Sequence, residues 1–501
     1  MKKFVVLSLV ALLVLAFGTM AFAQAKKDEP TMQFKASGWI DALFNSYVNV
    51  TDGSGAAGIF DTIPATFKPA LTGPNGGDEN ASYWATRARL KFDWIMGKQS
   101  SATMLFEMDS SNWGDVPDGR NSMGAWAADR AAVEIKAIYF DFGVPAILVP
   151  VSLRVGMQPL GIRPNLLVYT DGMGIIASVK VDPANIQLLY FKPREGTTWT
   201  ADDANVYGLH ANAKLGTVTA GGYALYYNMN QYPLGSLNNN ADLWWFGVYA
   251  DGKVGPVNLN FDFIYDRGTI ERRGSLASVR DVKLRGWTTY AKVDFPWEKF
   301  NFGGVFNYST GSDAKKSDPL GLPGNTVAYG GGLTATSTKV GSYVVPPGSE
   351  AGAIYGESVV MFSFPHNRGT SGIANSNNYT QVSRGGPGGT WLAKAYASIK
   401  ATPWYKVTFQ GMYIGDTTKN GNTIGTAVRT GVSPATLRDD KDIGWELDLI
   451  NEITIYKNLS FVLAGGYLWA GDALDFRDPG TLLNCSPKNP WMVTGILTYS
   501  F

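Results

Sequence analysis

Arg87, Arg89 and Lys91 stand at every second position of one segment, and Glu107 and Asp109 do the same in the next. Farther along, Lys394, Lys400 and Lys406 precede Glu446, Asp448 and Glu452, again at even spacings. Side chains two apart share one face of an extended chain. Rows of fixed charge on a wall make and break no bonds. Facing rows of opposite sign set up a transverse field, which orients dipolar solutes and discriminates between ions. The same charges could instead pair across neighbouring strands and stiffen a sheet. The Arg87, Arg89 and Lys91 ladder argues most strongly for positive charge left over, because three cations exceed what Glu107 and Asp109 can neutralise.

Bond-making chemistry finds little material. His210 shares its face with Asn212 and Lys214, and His366 stands in a long loop; neither neighbours a serine and acid arranged to activate a nucleophile. An enzyme is therefore not expected. Two histidines and the single Cys485 supply neither a disulfide framework nor a metal-ligand set, and no Cys-x-x-Cys-His segment attaches haem, so no metal or cofactor is expected. The 43 basic and 42 acidic side chains balance, with only Lys2 and Lys3 falling in the first 23 residues. Nucleic acid needs a basic excess and is not an expected partner.

The elements that carry the charge rows are strands. In Ser82 to Met96, the even positions Trp84, Thr86, Ala88, Leu90, Phe92 and Trp94 oppose Arg87, Arg89, Lys91 and Asp93. That is period-two alternation. It recurs along the whole chain, with Trp445, Leu447 and Leu449 opposing Glu446 and Asp448 near the end. We count eighteen such segments, from 34–50 through 173–182 and 283–296 to 491–501, with sixteen to twenty as the range. Most exceed the ~9–11 residues that a tilted strand needs to cross a hydrocarbon layer. Charged residues make up only 17% of the chain, below the ~25% usual in soluble domains, while 15 Trp, 24 Tyr and 25 Phe are abundant. So many half-apolar strands with so few charges do not close an ordinary soluble core.

Connections alternate in length. Short turns fall at Gly97 to Gln99, Asp182 to Ala184, Leu215-Gly216, Gly252 to Gly255, Pro296 to Glu298, Thr402 to Trp404 and Lys457-Asn458. Between them lie long loops such as 51–81, 310–389 and 417–442. The expected fold is therefore an all-β, antiparallel, up-and-down transmembrane β-barrel with short periplasmic turns and long extracellular loops. Residues 1–23 read as a secretory signal peptide, with Lys2 and Lys3 ahead of an apolar run and Ala21-Phe22-Ala23 as the cleavage site. Residues 24–33 form a short periplasmic segment and 34–501 the barrel.

Trp84, Trp94, Trp244, Trp245, Trp404 and Tyr405 stand near strand ends and are candidates for aromatic girdles at the headgroups of outer-membrane lipid. Eighteen strands enclose more space than side chains fill, so a selective barrel needs a constriction. Loop 310–389 carries the apolar run Ser358 to Phe364, out of place in water, and Val359, Val360, Met361 and Phe362 are the candidate constriction residues. The run could also form an extra hairpin and raise the strand count to twenty.

Two further stretches carry a resemblance. Trp491, Val493, Gly495, Leu497, Tyr499 and Phe501 alternate to a terminal phenylalanine, similar to the signal read by the barrel-assembly machinery. Gly444 to Leu449, Ile455 to Leu459, Gly465-Gly466-Tyr467 and Gly471-Asp472 resemble the closing hairpin of Gram-negative outer-membrane porins of the alginate-export-like and specific-porin type. The resemblance implies a passive diffusion channel for small hydrophilic solutes or ions, as a homotrimer or a monomer. A sheath or scaffold around a partner such as an electron-transfer cytochrome, and a polysaccharide-export channel, are the alternative readings.

Overall fold

The computed structural model describes residues 32–49, 80–115, 122–124, 131–145, 150–164, 166–195, 203–234, 237–271, 281–313, 339–349, 357–362, 387–425, 427–429, 437–477 and 483–501. The signal-peptide segment, most of loop 51–81 and His366 lie outside them.

Eighteen strands form the wall. They are β1 (Met32–Val48), β2 (Asn80–Met96), β3 (Ser100–Asp115), β4 (Glu134–Gly143), β5 (Val151–Ile162), β6 (Val168–Val181), β7 (Ala184–Arg194), β8 (Ala204–Leu215) and β9 (Val218–Leu234). There follow β10 (Leu237–Val254), β11 (Val257–Glu271), β12 (Trp287–Trp297), β13 (Phe300–Ser309), β14 (Thr390–Thr402), β15 (Tyr405–Asp416), β16 (Asp442–Tyr456), β17 (Leu459–Ala470) and β18 (Trp491–Ser500). Each pairs antiparallel with its sequence neighbours, as in Trp445↔Trp469 between β16 and β17. The ring closes where β18 pairs with β1, in the register Trp39↔Ser500 to Val48↔Trp491. Closure removes the exposed edges that an open sheet would leave.

The inside-out exposure follows from the alternation. Along β16, Trp445, Leu447 and Leu449 are 57%, 38% and 48% exposed, whereas Glu446 and Asp448 are 0% and 1% exposed. In water that arrangement would cost apolar hydration on every strand; in lipid the same outward face is stabilising. Rings stack outside at both ends of the wall. Tyr226 on Trp244 (4.4 Å) and Trp84 on Trp113 (5.2 Å) lie toward the long loops, while Trp404 beside Tyr405 (6.0 Å) and Trp297 on Phe300 (6.0 Å) lie at the short turns. Trp245 departs from the expected girdle. It is fully buried on the inner face and donates its indole N–H to the Val344 carbonyl at 2.7 Å.

Two features fill the interior. The hairpin of β5 and β6 leaves the wall: β4 holds β5 only from Ile138↔Met157 to Gly143↔Ser152, and β7 holds β6 only from Gly174↔Phe191 to Val181↔Ala184. The two hairpin strands stay paired with each other out to Ile162↔Val168. Its free half turns into the lumen. The second feature is loop 310–389, whose described parts 339–349 and 357–362 pack on inner wall residues. Among the described residues, Ser358 to Phe362 forms no strand, and the ring of eighteen strands closes without it. The segment read as one strand at 283–296 is broken at Arg285-Gly286, between the short strand Val282–Leu284 and β12. There Gly286 passes so close to Ser342 that a Cβ would lie 2.3 Å from its carbonyl oxygen.

Candidate functional site

Leu160, Ile162, Leu167, Val344, Val359, Val360, Met361 and Phe362 join wall residues such as Leu225, Trp245 and Ile264 in one apolar cluster inside the barrel. Each such side chain contributes roughly 1.5–3 kcal/mol by leaving water. Irregular backbone at this depth must find acceptors for its N–H groups. Wall carboxylates supply them. Glu446 accepts from the N–H of Val359 (2.9 Å), Val360 (2.7 Å) and Met361 (3.0 Å), and Asp448 also accepts from Val359 (3.2 Å). Asp266, buried on β11, does the same for Gly286 (2.7 Å) and Val344 (2.9 Å). Glu446 and Asp448 thus face inward but are covered by this chain's own backbone. They grip the inserted segment instead of opposing Lys394, Lys400 and Lys406 across open water.

Glu357 anchors the other end of that segment. It pairs with Lys394, stands 3.8 Å from Lys292 and accepts from the Tyr290 hydroxyl at 2.7 Å. Burial opposes its charge, but Lys394 and Lys292 outweigh burial and hold the carboxyl below its usual range. The Lys394 ammonium also donates to the Glu357 carbonyl (2.9 Å) and to Gln410 (3.2 Å).

The tip of the inserted hairpin is fixed by Arg163, which crosses to β10 and β11 and meets Asp251 and Asp262, each at 2.5 Å. Burial opposes the guanidinium charge, and the hydrogen bonds to both carboxylates more than restore it, so its pKa is raised. Tyr343 and Ser349 of the long loop donate to the Leu166 and Leu167 carbonyls at 2.7 and 3.0 Å, which ties the two inserted pieces together.

On the opposite wall, Glu107 is buried among cations: Arg87 (2.6 Å), Arg89 (2.8 Å) and Lys136 (2.8 Å). Lys136 comes from a bulge in β4 and also reaches Asp171 of the inserted hairpin at 2.8 Å. Lys91 pairs with Asp93 at 3.0 Å instead, so Lys136 takes the place expected of it beside Glu107. A lysine off the period-two pattern gives no signal in the sequence. The side chain of Asp109 lies outside those described. Lys406 pairs with Glu452 at 2.5 Å near the short turns, and Lys400 is its cross-strand neighbour. His210 bonds Tyr249 (2.8 Å) and Gln187 (3.1 Å) within the wall.

No family model matches the chain, and no curated protein does. Solved structures do. The crystal structure of Pseudomonas aeruginosa OccK2 (OpdF) superposes with a TM-score of 0.50 at 9% identity, covering 94% of this chain and 98% of that one. The fold is that of an outer-membrane porin. Pseudomonas aeruginosa OpdK with vanillate (TM-score 0.48, 9% identity, 93% and 98% covered) and a BenF-like porin from Pseudomonas fluorescens Pf-5 (0.48, 10%, 94% and 98%) also match. With the porin fold, the short turns are the periplasmic side and the apolar outer face is the membrane-spanning surface.

Proposed function

We propose that this chain is a passive diffusion channel of the outer membrane for small hydrophilic solutes. The observation that carries the reading is the division of the lumen. An apolar cluster occupies one side, and the charged wall of Arg87, Arg89, Glu107 and Lys136 faces Asp171 of the inserted hairpin on the other. Solutes pass along the charged side, and Val359 to Phe362 narrow the bore. A sheath around a partner protein fits less well, because segments of the chain itself occupy the interior.

Residues 1–23 are a leader removed on export, which N-terminal sequencing of the mature protein tests. Phe501, whose backbone exchanges hydrogen bonds with Gly38 at 2.9 and 3.0 Å, is the recognition end for barrel assembly. Cross-linking in the membrane distinguishes a homotrimer from a monomer. Single-channel recording in a planar bilayer tests the function itself. Steady conductance is expected, with an anion preference that falls when Arg87, Arg89 and Lys136 are replaced by glutamine. A wild-type barrel that carries no current overturns the proposal.

A further inference from the structure

Two cavities of about 290 Å³ and 300 Å³ lie on the periplasmic side of the inserted segment and share Lys292 and Glu357 in their walls. Most charges around them are matched by close partners: Arg163 by Asp251 and Asp262, Lys394 by Glu357, and Lys406 by Glu452. Two are not. Among the described residues, the carboxylate paired with Lys292 is Glu357 at the long distance of 3.8 Å, and the lysine side chain is 31% exposed. Asp294 receives hydrogen bonds from Asn301 (2.8 Å) and from the Tyr396 hydroxyl, both neutral donors. Lys292 and Asp294 both line the first cavity, two positions apart on one face of β12 and therefore about 7 Å apart along the strand. The Tyr396 ring lies with them, its face 5.6 Å from the Lys292 ammonium.

A cation whose ion pair is long and an anion with only neutral donors among the described residues, held apart on one face, complement a ligand that carries both charges. We infer that this cavity is a binding site for small zwitterions of the amino-acid class, with the ligand carboxylate on Lys292 and its ammonium on Asp294. The inference rests on the channel reading, because a solute that has passed the narrowing at Val359 to Phe362 then meets the site on the periplasmic side of it. A simple anion would leave Asp294 facing like charge, and a simple cation would do the same to Lys292; each forfeits one of the two contacts. The hydroxyl of Tyr396 keeps Asp294 oriented, and its ring supports the polarised methylenes beside a bound ammonium.

Isothermal titration calorimetry of the full refolded protein in detergent, with 4-aminobutyrate, butyrate and butylammonium as probes, tests the site. The zwitterion is expected to bind about tenfold more tightly than either singly charged probe, the gain from one additional charge contact. Lys292→Gln and Asp294→Asn are each expected to remove that advantage. Lys292→Gln keeps the butylammonium affinity, and Asp294→Asn keeps that of butyrate. Equal binding of all three probes, or variants that leave 4-aminobutyrate binding unchanged, overturns the inference. Calorimetry needs no current. Binding by a barrel that does not conduct would sink the channel reading alone, and conductance without zwitterion preference would sink the site alone.

Discussion

Gly156 of β5 and Gly174 of β6 are register partners at the point where their hairpin leaves the wall. Gly156 has φ +133°, and a Cβ there would sit 2.3 Å from the Ile138 carbonyl oxygen; one on Gly174 would sit 2.5 Å from that of Tyr190. The pair lets the hairpin bend between two neighbours without a side chain in the way. Gly156→Val should therefore cost about 1–3 kcal/mol and push the hairpin back toward the wall. A lower unfolding temperature with a larger single-channel conductance is the expected result; an unchanged conductance in a folded variant would contradict it.

The three main-chain donors on Glu446 make a second test. Glu446→Ala leaves Val360 and Met361 without their acceptor and Val359 with Asp448 alone, at about 1–3 kcal/mol for each buried group left unmet. Gly466→Ala attacks the same contact sterically, since its Cβ would lie 2.8 Å from Val359 and 2.3 Å from Asp448. Both variants should insert as intact barrels with noisier, larger currents. Wild-type currents from both would show that 357–362 does not narrow the path.

Arg163 is the only group described between Asp251 and Asp262 that carries positive charge to both. Arg163→Met should leave two nearby carboxylates uncompensated, and removing one partner of such a network costs roughly 3 kcal/mol. Heat modifiability on gels should shift to lower temperature. Asp251→Asn combined with Arg163→Met should recover part of the loss.

The Glu357 latch is pH-dependent in a known direction. Its carboxyl titrates below the reference value of 4.5 when the segment is docked, so docking is fully stabilised above pH 4.5 and loses that contribution as pH falls through the lowered value. Conductance recorded from pH 7 down to pH 3 should rise or become noisy only in the acid range. Glu357→Gln should abolish that change while leaving pH 7 currents steady enough to measure.

Strand positions were legible because the rule behind them is local. A strand between lipid and a polar lumen must alternate, and the starts and ends of β15 and β17 are read directly from that alternation. β6 begins at Val168 and not at 173, because its first residues lie in the lumen, where both faces are covered and the alternation lapses. Trp245 failed for a related reason: next to Trp244 it looks like a girdle residue, but the neighbour in sequence faces the other way. Lys136 was invisible because a bulge, not the period, aims it at Glu107.

By itself the sequence determined the barrel, its strand number to within about two, the side on which long loops lie and the inward direction of the charged faces. All of these follow from solvent preference repeated every second residue. Only the tertiary structure decided which charges are matched, which hairpin leaves the wall and which loop residues fill the bore. Those outcomes rest on pairs such as Arg163 with Asp251 and Val344 with Asp266, 88 and 78 residues apart. Such contacts are set by the geometry of the closed ring, and no local pattern of residue types encodes them.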